Sequence, residues 1–188
     1  MRRPPRACSR RRGLYDVRIE PTSGFLSDHY DPREKALRLS EDVYYGRSLS
    51  AVGVACHEAG HALQDARGYR PLALRSALVP VTQIGSSLSW IVLTAGFVMH
   101  MTAMVYLGIA LFAGSVAFAL VTLPVEWDAS ARAKALMVRA GIVSPSERAH
   151  ASSVLNAAFL TYLAAAVTSI LTLIYYLLRA GFFGRDEE

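Results

Sequence analysis

The chain has 188 residues, room for one compact domain, of which 53% are hydrophobic and only 19% charged. No Asp, Glu, Lys or Arg occurs from Ser76 to Val125 or from Ala149 to Leu178, which excludes an ordinary soluble helical fold, since a soluble helix needs a polar face. The net charge of +5 is a property of one end: Arg2, Arg3, Arg6, Arg10, Arg11 and Arg12 precede Gly13, leaving 14 basic against 15 acidic residues and no basic face for nucleic acid.

Residues 1–13, with Pro4 and Pro5 among the arginines, read as a disordered basic tail solvated beside anionic lipid. No apolar run follows closely enough to make the tail a secretory signal. Tyr15, Val17 and Ile19 alternate with Asp16, Arg18 and Glu20, the period of a half-buried strand, and Pro21 to Gly24 mark a turn. A second extended stretch, Ala36 to Leu39, follows Asp31-Pro32, so a small β element of about two strands is expected.

A helix is predicted from an N-cap at Ser48 or Ser50 to Gly68, with Pro71 beyond it. Three apolar spans follow, at about 79–99, 103–123 and 157–178. Each has about 20 residues, enough to cross a hydrocarbon core of roughly 30 Å at about 1.5 Å per residue. His100, Met101 and Thr102 leave room only for a tight hairpin between the first two, and Ala110 with Gly114 and Ala113 with Ala117 are expected to let it pack closely. The fold class is therefore mainly α and integral to a membrane, with about three transmembrane helices and a small N-terminal β element. Cys8 and Cys56 are the two cysteines; a disulfide between them is not expected in a reducing cytosol, and Cys56 reads as a small packing residue.

The chemistry-bearing segment is HEAGH, His57 to His61, in the middle of the predicted helix. Positions i and i+4 lie on one helix face, so both imidazoles can chelate one zinc ion with bonds of about 2.0 Å. Glu58 is rotated by roughly 100° from His57, beside the metal, where it can take a proton from a zinc-activated water as general base. The pattern on a helix with little polar surface is more specific than a bare H-E-x-x-H.

A third ligand has to come from elsewhere. Arg67 occupies the place of the third His in the metzincin extension, which excludes that class. Two membrane passes return the chain to the side it left, where Glu126 and Asp128 stand in the segment LPVEWDASARA. Glu126 is the first candidate and Asp128 the next, better suited to a hydrogen bond that orients an imidazole; His150, Glu147, Asp65 and His29 also remain, whereas His100 is on the far side.

The segments SDHYDP, LRLSEDVYYGRSLSAVGVACHEAGHALQ, LRSALVPVTQIGSSLSW, LPVEWDASARA and VLNAAFLTYLAAAV resemble the YugP-like family of bacterial membrane zinc metallopeptidases over nearly all of residues 14–178. The resemblance implies a zincin-like helix with a gluzincin-like site, related in plan to the HtpX-like and prenyl-protein proteases. It carries over His57 and His61 as ligands, Glu58 as the catalytic residue and Glu126 as the third ligand. Family members usually begin with a further membrane helix and a short linker, where this chain has the Arg-rich tail.

Residues 14–188 then form one membrane metallopeptidase domain, with one Zn2+ ion and a membrane protein or peptide as substrate beside the lipid bilayer. A multi-pass cell-membrane protein is expected, with its active site on the cytoplasmic side because Arg67, Arg70, Arg75, Arg132, Lys134 and Arg139 flank that side. The rival of a different class is a non-catalytic membrane scaffold retaining a zinc site, although structural sites are usually closed by four protein ligands. A metal transporter is disfavoured, because no acid or paired His lies within the spans.

Overall fold

The computed structural model of the chain describes residues 16–181; the basic tail, with Cys8 in it, and residues 182–188 lie outside the described residues. The elements in chain order are β1 (Arg18–Thr22), β2 (His29–Asp31), β3 (Ala36–Ser40), α1 (Glu41–Tyr44), α2 (Leu49–Ala66), α3 (Arg70–Val98), α4 (Thr102–Arg139) and α5 (Arg148–Arg179). The protein is mostly helical and divides into two compact units. Of the described residues, one comprises 16–73 with 125–160, the other 74–124 with 161–181.

In the first unit the β element has three strands in the order β1-β3-β2. The middle strand, β3, is parallel to β1, with Arg18 opposite Ala36, and antiparallel to β2, with Tyr30 opposite Leu37. A four-residue turn joins β2 to β3. There the Asp31 carboxylate accepts from the backbone N–H groups of Arg33 and Glu34 at 2.9 and 3.3 Å and pairs with Arg38 at 3.0 Å. Burial works against ionisation of Asp31, but these donors outweigh it and hold its pKa below the ordinary value. The short β2 was not anticipated from the sequence: three residues are too few to display an alternation.

Tyr30 joins this sheet to the helix that carries the motif, donating its hydroxyl to Asp65 Oδ2 at 2.8 Å. Burial and the neighbouring carboxylate push the Tyr30 phenol up, so it remains a donor. α2 starts where its Ser48 hydroxyl accepts from the Ala51 N–H at 3.1 Å. It stops at Gly68, whose φ of 62° is the left-handed conformation that glycine adopts without a Cβ penalty, and the N–H groups of Gly68 and Tyr69 close on the Asp65 and Gln64 carbonyls.

The buried side of α2, with Val52, Cys56, Ala59 and Ala62, packs against Leu37 of β3, Ala133 and Met137 of α4 and Leu155 of α5. Cys56 does pack here, fully buried, as a small core residue, and a pairing with Cys8 lies outside the described residues.

Among the described residues three helices, α3, α4 and α5, are long and apolar enough to cross a membrane. Each extends beyond its predicted span. The sequence suggests a helix beginning just past Pro124, but α4 runs through that residue as one helix of 38 residues. Proline removes one backbone hydrogen bond, and the rest of a long helix carries the chain across the gap. Pro80 lies inside α3 in the same way.

In the second unit, α3 and α4 form the expected tight hairpin, with His100 at the turn in a left-handed conformation, φ 53°. Leu93, Val105 and Ile109 form its buried core, with Phe97 and Tyr176 packed against them. The close approach does not involve Gly114, where an added Cβ would meet nothing within 4 Å among the described residues. It occurs at Gly96, where a Cβ would lie 2.8 Å from the Val105 backbone nitrogen, and at Gly108, against Leu93. Small residues permit close packing only where they face the partner helix, and spacing alone does not say which face that is. Val81, Ile84, Ile91 and Leu171 point outward, each more than 60% exposed, as lipid-facing side chains would. Gly96→Ala should therefore destabilise the hairpin by about 1–3 kcal/mol, read as a lowered thermal unfolding midpoint in detergent, while Gly114→Ala should leave the midpoint the same or slightly raised.

Candidate metal centre

The site lies within the first unit, where α2 meets the C-terminal part of α4. The two backbones come so close that a Cβ at Gly60 would stand 2.5 Å from the Ala129 carbonyl oxygen. This glycine, the fourth residue of HEAGH, lets the histidines on either side of it reach the other helix.

His57 and His61 lie one turn apart, with ring centroids separated by 4.8 Å. Glu126 projects from α4 toward both. Its Oε2 is 3.0 Å from His57 Nε2 and its Oε1 is 3.7 Å from His61 Nε2. Glu126 is 1% exposed and His61 5%. Among the described residues these three form the group of His, Cys, Asp and Glu side chains able to share an ion, with ligand atoms all within 4.8 Å of one another.

Zinc fits this arrangement. One ligand atom from each of the three residues lies within 4.8 Å of the others, close enough for a single ion to draw them in. Two imidazoles and a carboxylate suit zinc and leave a fourth position open.

The outer nitrogens of the imidazoles are also engaged. His61 Nδ1 donates to Gln64 Oε1 at 2.9 Å, which leaves its Nε2 lone pair for a metal. The Gln64 amide cannot turn over without loss, because its NH2 group donates to the Val125 carbonyl and to Asp128 Oδ2, both at 2.8 Å. Asp128 in turn accepts from Arg132 Nε at 2.5 Å. His57 Nδ1 faces Ser130 Oγ at 3.3 Å.

Asp128 was expected to hold an imidazole directly; it does so one step removed, through Gln64. Gln64 and Ser130 were missed. Helical spacing carries the signal for both, since Gln64 follows His61 by three residues and Ser130 follows Glu126 by four, each on the same face as its ligand. The remaining candidates lie elsewhere: Asp65 bonds Tyr30, Glu147 bonds Ser144 at the start of α5, and His29 bonds the Ser27 carbonyl. His150 lies in the first turn of α5 and is not part of the metal group. Glu58 is buried on α2 directly after His57, at 8% exposure.

Gln64→Leu keeps the volume and removes the orienting amide. It should weaken zinc binding by about 10- to 100-fold in competition with a chelator, while thermal unfolding of the metal-free protein should show a much smaller change.

A family described as "Putative neutral zinc metallopeptidase" matches residues 5–181. The "Putative membrane protease YugP" of Bacillus subtilis (strain 168) is 46% identical over 176 residues, covering 94% of this chain and 78% of the relative. No solved structure matches the chain. A match that spans nearly the whole chain, His57, His61 and Glu126 included, places this protein in the neutral zinc metallopeptidase family.

Proposed function

We propose that the chain is a membrane-embedded peptidase of the H-E-x-x-H, gluzincin-like kind, holding one zinc ion through His57, His61 and Glu126 and cutting peptide bonds of membrane or membrane-proximal proteins. The observation that carries this reading is the convergence of a buried carboxylate from α4 on two histidines one turn apart on α2. Zinc, when bound, supplies Lewis acidity toward a peptide carbonyl and makes water easier to deprotonate. Glu58, one residue past His57 and about 100° around the helix, is the general base that accepts the water proton and returns it to the leaving amine. His61 is kept in the tautomer that ligates by its bond to Gln64.

The membrane setting narrows the substrate. α3 and the apolar part of α4 up to Pro124 lie between His61 and Glu126, and an even number of crossings returns the chain to one side. A site pinned beside the bilayer meets membrane-bound chains first. Basic residues at Arg67, Arg70, Arg75, Arg132, Lys134 and Arg139 favour the cytoplasmic side, while the turn at His100 has none.

Glu58→Gln should retain zinc and lose about 10²- to 10⁴-fold in peptide hydrolysis. Glu126→Gln should instead lower zinc affinity at least about tenfold. Metal content measured beside turnover separates the two roles, and an active, zinc-replete Glu58→Gln enzyme would overturn the assignment of the base. For orientation, Met101→Cys should be modified in intact cells by a membrane-impermeant maleimide added outside; modification only after the cytoplasm is opened would reverse the topology.

A further inference from the structure

On the first unit, beside the metal centre, the last turn of α2 and the C-terminal part of α4 enclose a cavity of about 690 Å³. Its walls carry three guanidinium groups, Arg67, Arg132 and Arg139, against one carboxylate, Asp128, over an apolar floor that includes Leu63 and Leu136. Outside the tail the chain has a net charge of −1, so three arginines against a single acid on one cavity is a local concentration of positive charge. One of the three is fixed in place: Arg132 is held through Nε by Asp128, and its guanidinium lies 5.9 Å from the centre of the Tyr69 ring. Arg67 and Arg139 are exposed at the cavity's rim.

We propose that this groove is a binding site for a phosphate group, that of an anionic phospholipid headgroup, with Arg67, Arg132 and Arg139 on the phosphate and the floor against the glycerol and first acyl carbons. Guanidinium forks match phosphate oxygens in pairs, and a cavity of this size holds a headgroup.

Position favours a lipid over an acidic peptide. Trp127 on α4 is 60% exposed and stacks edge-on against Phe159 of α5 at 5.0 Å, the kind of aromatic pair that settles at a membrane interface. Arg132 follows Trp127 by five residues, a rise of roughly 7.5 Å, which is within the headgroup layer of about 5–8 Å on each side of the hydrocarbon core. None of the three arginines ligates the metal, so the site stands whether or not the peptidase reading does.

The test uses the full chain in a zwitterionic detergent, titrated with dioctanoyl phosphatidylglycerol or dioctanoyl phosphatidylcholine and read by native mass spectrometry. The wild type should prefer the anionic lipid. In the double variant Arg67→Gln/Arg139→Gln that binding should weaken roughly 10- to 30-fold, with zinc content unchanged, while Arg67→Lys/Arg139→Lys should keep most of it.

A competition arm with inorganic phosphate separates the two sources of the same chemistry. Displacement of the lipid at millimolar concentration assigns the groove to phosphate alone, and failure to displace assigns it to the lipid headgroup; either upholds a phosphate site. Equal binding of the two lipids by the wild type, an undiminished preference in the glutamine variant, or displacement by an oligoglutamate peptide but not by phosphate would overturn the assignment to an anionic phospholipid headgroup.

Discussion

A carboxylate at 1% exposure, facing two imidazoles, is the interaction on which the first unit turns. Removing a charge from water costs several kcal/mol unless opposite charge or a metal compensates it, so Glu126 is tolerable only where His57 and His61 hold their positions. Those positions depend on how closely α2 and α4 approach, and the approach is set at Gly60 by the absence of a side chain. Alanines at 59, 62, 129 and 133 keep the rest of the contact thin. Bulkier residues would bury more apolar surface but would hold the carboxylate out of reach. The packing here gives up hydrophobic area for proximity of polar groups.

The same contact explains why polar residues continue outward from the ligands. Each buried donor or acceptor that helps hold an imidazole needs a partner of its own, or its desolvation is left uncompensated. His61 leads to Gln64, Gln64 to Asp128 and the Val125 carbonyl, and Asp128 to Arg132, which is only partly buried. The chain of partners ends at Arg132, whose Nη1 is buried and accepted by no described group.

Much of the site was legible because helix periodicity converts spacing into direction. His57 and His61 are four apart, and Glu126 follows from charge and the parity of two spans. The same rule would have found Gln64 and Ser130, had it been applied to the neutral polar residues as well as to those that titrate. The fold was legible at the level of its elements, since long charge-free runs admit few alternatives. The continuation of α4 through Pro124 was not, because a proline states only a local preference and the outcome depends on what the rest of the helix gains. Nor could spacing distinguish Gly114 from Gly96 and Gly108, since all three are small and only the facing partner decides which of them matters.

α4 also makes the ligand set dependent on the membrane segments. Two histidines on α2 would supply only half of a tetrahedral shell, and the carboxylate that faces them stands 65 residues beyond His61, past α3 and within α4 itself. Closing a loop of that length costs conformational entropy that local contacts of α2 cannot offset; it is repaid only if the intervening chain is itself ordered. The apolar helices α3 and α4 provide that order, and lipid is the medium in which their outward faces are stable. Because α4 is continuous from Thr102 to Arg139, the helix that spans is the helix that presents Glu126. The His57, His61 and Glu126 side chains are therefore brought together only once α4 has formed through Pro124, because α4 is the element that carries the carboxylate to α2.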